Sequence, residues 1–110
     1  MTYKAEYKSL NNLGQQALRY WDENKDNQAI VGMVSHQQFK ARNIINRFLK
    51  ENMYDAVVYA GTNPKNNNNS LYVYDNTNQD HQFKGYVDIY PFTHDLLIQA
   101  LEHLGCNCHK

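Results

Sequence analysis

Two short stretches alternate aliphatic residues with tyrosines, and this alternation constrains the fold more than any other feature of the chain. Leu71-Tyr72-Val73-Tyr74 and Gly85-Tyr86-Val87-Asp88-Ile89-Tyr90 each read as an extended strand, whose successive side chains point to opposite faces. Leu71, Val73, Val87 and Ile89 then share one sheet face, and Tyr72, Tyr74, Tyr86, Asp88 and Tyr90 share the other. The aliphatic face needs cover, so helices are expected on that side.

The helices follow from apolar spacing. Leu10, Leu13, Ala17 and Trp21, joined by Tyr7, Leu18 and Tyr20, predict a first helix over 3–24, with Gly14 as a weak point inside it. Ser35 followed by Gln38 matches a capping box and predicts a second helix over 36–52, with Ala41, Ile44, Ile45, Phe48 and Leu49 as its buried stripe. Pro91 stops the second alternating strand. Thr93 and Asp95 then suit the start of a last helix, Leu97, Ile98, Leu101 and Leu104 its stripe, and Gly105 its end.

Ala29-Ile30-Val31-Gly32-Met33-Val34 and Ala56-Val57-Val58-Tyr59-Ala60 read as buried strands on either side of the second helix, which predicts a parallel crossover. Segments 61–69, with Pro64 and four successive asparagines, and 75–82 read as polar loops, the first of them mobile. The resulting expectation is an α+β fold in the order α-β-α-β-β-β-α: one mixed four-stranded sheet with three helices packed mainly on one face. Its inner α-β-β-β-α order is also that of double-stranded RNA-binding domains. The lysine cluster which those domains carry at the start of the last helix has no counterpart here, and the order alone assigns nothing.

A length of 110 residues suits a single domain over 1–110, large enough to bury a core, with the last five residues expected as a flexible tail. Eleven basic and eleven acidic residues cancel, which disfavours a nonspecific nucleic-acid binder unless the charges separate by face. No apolar run is long enough for a membrane span, and Met1-Thr2-Tyr3-Lys4-Ala5-Glu6 lacks a signal-peptide plan. Cys106 and Cys108 cannot close a large loop, so a cytoplasmic location is expected. The abundance of Asn, Lys and Tyr fits an AT-rich genome, such as a bacterial phage or plasmid source.

Three constellations are candidate sites. The first is the tyrosine face, Tyr72, Tyr74, Tyr86, Asp88 and Tyr90: tyrosine combines a large flat apolar area with a hydroxyl, as protein interfaces and base-stacking platforms require. The alternative is that the first helix covers these rings as core. The second is a stripe along the second helix, His36, Lys40, Asn43, Arg47 and Lys50, able to meet phosphates or an acidic partner. The third is His103, Cys106, Cys108 and His109, soft donors with irregular spacing, for which no metal is expected. No phosphate-cradling glycine loop or metal-protease motif occurs, and the acids are scattered.

The expectation is therefore a small non-enzymatic binding protein without cofactor. Its tyrosine face would contact a protein partner or a second copy of the chain. A nucleic-acid binder using the basic helix is the first alternative, and a thiol- or metal-dependent activity at the C-terminus the second.

Overall fold

The computed structural model describes residues 7–32 and 36–110. Residues 7–9 are helical, and the chain breaks at Leu10 and Asn11 before helix α1 (Asn12–Asn24). The break has a local cause: Asn11 Oδ1 accepts the Gly14 amide at 2.9 Å, an N-cap that starts a new helix. The part of the expected first helix before residue 7 lies outside the described residues.

The strand expected over 29–34 is not formed by its described part. Gln28–Val31 is a single helical turn, α2, capped by Asn27, whose Oδ1 accepts the Ala29 amide at 3.0 Å, and it ends at Gly32 with a φ of 75°. A short apolar run fits strand or helix equally, and here the asparagine cap decides. Helix α3 (Gln37–Glu51) follows. Ser35 lies outside the described residues. His36 occupies the cap position without a side-chain cap, the expected capping box rests on Ser35 and so lies outside the described residues, and Gln38 reaches the sheet. Its Nε2 donates to Gly61 O at 2.7 Å and Ser70 O at 3.0 Å, pinning the start of α3 to the sheet.

Strands β1 (Ala56–Thr62), β2 (Asn69–Asp75) and β3 (Gln82–Asp88) form an antiparallel sheet in the order β1-β2-β3. The sheet is therefore three-stranded and antiparallel among the described residues, not four-stranded and mixed, because residues 29–31 of the segment assigned to the fourth strand are helical. Helix α4 (Asp95–His103) closes the order. With α2 and the helical residues 7–9, the helical segments exceed the three expected.

The aliphatic face is covered as the alternation requires. Helix α3 packs on β1 and β2, α4 packs on β3, and α1 packs on α3 and α4. Leu71, Val73, Val87 and Ile89 are buried there with Val58, Phe48 and Leu101. The rings of Tyr20 and Phe48 meet edge-on at 5.2 Å, and Trp21 meets Phe92 at 5.1 Å, tying α1 into this helical layer.

Both outer strands are closed by side chains from the helices. Asn46 on α3 accepts the Val58 amide at 2.8 Å and donates to Val58 O at 3.0 Å, standing in for a neighbouring strand. On the opposite edge, His103 Nε2 donates to Tyr86 O at 3.1 Å.

The C-terminal residues expected as a tail are held in place. Helix α4 ends with bonds from Gly105 N to Glu102 O and from Cys106 N to Leu101 O, the Schellman pattern. The chain then runs back beside the first described residues: Asn11 N donates to Cys108 O and Lys110 N to Ser9 O, both at 3.0 Å. Cys108 is buried. Among the described residues, no helix is long and apolar enough to cross a membrane.

Candidate functional site, an aromatic sheet face

On the sheet face away from the helices, Tyr59, Tyr72 and Tyr86 stand opposite one another across the three strands. A second row sets Tyr74 opposite Phe83. The rings interlock: Tyr72 and Tyr86 meet edge to face at 5.2 Å, Tyr59 and Tyr74 at 5.6 Å, and Tyr74 and Phe83 at 5.5 Å. Phe83 also touches Tyr86 at 4.8 Å and so joins the rows. His81 lies flat on Tyr74, with centroids 4.2 Å apart and ring planes within 1°. Such pairs contribute about 0.5–1.5 kcal/mol each beyond area burial, so the platform holds its own shape.

The face is open to solvent at its margins. Tyr59 is 46% exposed and Phe83 44%, while Tyr72, Tyr74 and Tyr86 are partly buried against their neighbours. Helix α1 does not lie over it, since α1 packs on α3 and α4.

Asp88 lies at one end of this face and organises the neighbouring loop. Ser70 Oγ and Asn63 Nδ2 donate to its Oδ1 at 2.9 and 3.2 Å, and Asn66 Nδ2 to its Oδ2 at 2.8 Å. Burial opposes ionisation of this carboxyl, but the hydrogen bonds together outweigh it and hold the pKa below the usual aspartate value. The asparagine loop expected to be mobile is thereby tied down, with Asn63 itself buried and its amide bonded to Asn68 O at 2.8 Å. Tyr90 follows the strand, is 65% exposed, and stands apart from the ring cluster.

The stripe on α3 lies on the helical side of the molecule, away from the rings. His36 and Lys50 are exposed, but Arg47 Nε is bonded to Glu51 at 2.7 Å and Asn43 Nδ2 to Val31 O at 3.1 Å. Two of its five members therefore have partners already.

The four soft donors are distributed among separate partners. His103 caps β3, His109 Nδ1 lies 3.2 Å from Glu102 Oε2, and Cys106 Sγ lies 3.9 Å from the Tyr54 hydroxyl. Burial pushes the Cys108 thiol up to about 11, with Glu102 adding to the effect. Burial and the neighbouring Cys106 likewise push Tyr54 up to about 12. Among the described residues, no three His, Cys, Asp or Glu side chains are grouped as a metal ion would need.

Sequence reasoning missed Tyr59, Phe83 and His81. Tyr59 sat in a run read as fully buried, although its own alternation with Val58 places it on the open face. Phe83 is three residues from Tyr86, so strict alternation sets them on opposite faces. A bulge beside Lys84 and Gly85 shifts the register and brings them together. Gly85 was the available signal, because an isolated glycine within a strand often marks a bulge. A Cβ there would stand 2.7 Å from the His103 ring.

No family model, curated protein or solved structure matches the chain.

Proposed function

We propose that the chain is a small non-enzymatic binding protein, of accessory, regulatory or inhibitory type, that engages a protein partner through Tyr59, Tyr72, Tyr74, Phe83 and Tyr86. One observation carries this reading: five interlocked aromatic rings form a continuous, partly exposed face on the side of the sheet away from the helices. Preformed aromatic area loses little side-chain freedom on binding, and tyrosine is enriched among the residues that dominate interface energy. The free thiols of Cys106 and Cys108 fit a reducing compartment, which favours the cytoplasm.

The charge distribution favours protein over nucleic acid. A base-stacking platform pairs its rings with cations that neutralise phosphates. Here the rings lie on one side, and Lys40, Arg42, Arg47 and Lys50 belong to α3 on the other. The three strands carry a single cation, Lys84 at the β3 bulge, and Asp88 at the end of the aromatic face is an anion.

Capture from a lysate of the source cells, with and without nuclease, tests the reading. Bait carrying Tyr59→Ala and Phe83→Ala should lose a nuclease-resistant protein that wild type retains. Bait carrying Lys40→Glu and Lys50→Glu should keep it. The opposite pattern, with capture abolished by nuclease, would move the function to α3.

A further inference from the structure

We propose that Cys106 and Cys108 form a redox latch: a small hydroperoxide oxidises Cys106, Cys108 closes a disulfide with it, and the C-terminal clasp on α1 opens. This is independent of the aromatic face. Disulfides in a reducing compartment are usually transient and redox-sensing, which is the use proposed.

The two sulfurs share one neighbourhood. Cys106 is half-buried, Asn107 exposed and Cys108 buried, so the thiols turn inward on either side of an outward-facing residue. Cys106 Sγ lies 3.9 Å from the Tyr54 hydroxyl, and the charge that either thiol would carry acts on that same hydroxyl. Cys106 also borders a cavity of about 90 Å³ together with Tyr54, Asp75 and Thr77. A single water needs about 10–15 Å³, so this space takes a molecule of two oxygen atoms. Burial pushes Tyr54 up to about 12, which keeps its hydroxyl protonated and able to donate to a peroxide oxygen.

The chemistry balances with hydrogen peroxide as the one co-reactant. The Cys106 sulfur attacks one peroxide oxygen, the O–O bond breaks, and the other oxygen leaves as water, making Cys106 a sulfenic acid. The Cys108 sulfur then attacks the Cys106 sulfur, the S–S bond forms, and the hydroxyl leaves as a second water. Two thiols lose two hydrogens, and the peroxide is reduced to two waters. The second step draws Cys108 from its seat, because burial pushes its pKa up to about 11 and a thiol attacks as its thiolate. The clasp is built on that seat. Asn11 N donates to Cys108 O at 3.0 Å, and Asn11 Nδ2 donates to Asn107 O at 2.7 Å. The Cys108 carbonyl lies so close to α1 that Gly14 has no room for a Cβ. Moving Cys108 towards Cys106 gives up these contacts at the start of α1.

The test treats the reduced full chain with hydrogen peroxide, alkylates any remaining thiol after unfolding, and weighs the tryptic peptide 85–110, which holds both cysteines and no methionine. That peptide should lose two hydrogens and take up no label, while the protein stays monomeric. The melting temperature should fall by several degrees, and the Asn11 amide should lose its protection from hydrogen exchange. A dithiol reductant should restore both. In Cys106→Ser the same treatment should leave Cys108 reduced and the melting temperature unchanged. Cys108→Ala should stop at a sulfenic acid on Cys106, trapped by dimedone. Oxygen added to wild-type Cys106 without the loss of two hydrogens would overturn the proposal, as would an internal disulfide that leaves the Asn11 amide protected. If Cys108→Ala does not fold, Cys106→Ser decides alone: oxidation of its Cys108 at the wild-type rate would overturn the order of attack and the latch with it.

Discussion

The ring of Tyr72 leans over Gly61, its diagonal neighbour on the adjoining strand: a Cβ placed on Gly61 would stand 2.6 Å from Tyr72 Cζ. The Tyr72 hydroxyl reaches on to donate to Thr62 O. Glycine at 61 therefore sets the position of the central ring in the row Tyr59–Tyr72–Tyr86. Gly61→Ala should displace that ring and cost about 1–3 kcal/mol, the usual penalty for overpacking. Thermal melts would give the cost, and a changed Tyr72 aromatic NMR signal would give its origin. An unaltered signal would mean that Gly61 does not position Tyr72.

Asn46 closes the outer edge of β1 with two hydrogen bonds to Val58. Asn46→Ala leaves a backbone donor and acceptor without partners, so stability should fall by about 1–3 kcal/mol. The bared edge should also promote self-association. Denaturant unfolding and light scattering of the variant measure these separately.

Asp88 gives the structure an acid-sensitive element. Its folded pKa lies below the ordinary aspartate value, so its stabilisation is complete above that value and disappears as pH falls through the folded pKa. Asp88→Asn should destabilise the protein at neutral pH and loosen the loop at 63–68. The gap from wild type should narrow as pH falls through the lowered folded pKa, where the wild-type carboxyl becomes neutral too. Melting curves across pH give the comparison. A gap independent of pH would remove the carboxylate from the explanation.

The buried Cys108 predicts unequal thiols. With its pKa pushed to about 11 by burial, Cys108 should resist alkylation at pH 8 until the protein unfolds, while Cys106 reacts in the native state. Removal of 106–110 should lower the melting temperature, because it strips Cys108 from the core and frees the Asn11 amide bonded to Cys108 O. Equal labelling of both thiols in the native protein would contradict this packing.

How far the sequence was legible depended on whether the signal was local. The alternation in β2 and the later part of β3 put Leu71, Val73, Val87 and Ile89 under the helices, as the structure has them. The stripe Ala41, Ile44, Ile45, Phe48 and Leu49 is likewise the buried side of α3. What failed depended on single polar contacts. Asn27 turned the start of an apolar run into a helical turn, and the bonds from Gln38 across to β1 and β2 left no periodic signal. The C-terminal segment looked like a tail because its partners, Ser9 and Asn11, lie almost a chain length away. Within the candidate site, Tyr72, Tyr74 and Tyr86 followed from period two, whereas Phe83 needed a bulge that periodicity does not encode.

The central claim is that the aromatic face is a contact surface and contributes little to the core. Tyr59 and Phe83 test it most directly, being its most exposed rings at 46% and 44%. The decisive measurement is the melting temperature of Tyr59→Ala and Phe83→Ala set beside the partner each retains. Each should lose about 1 kcal/mol of stability or less, a shift of a few degrees, because each ring gives up only cross-strand contacts. Partner retention should fall by more than tenfold, as truncation of a central interface aromatic commonly costs 2 kcal/mol or more. A large fall in melting temperature, with retention unchanged in the fraction that stays folded, would contradict the account.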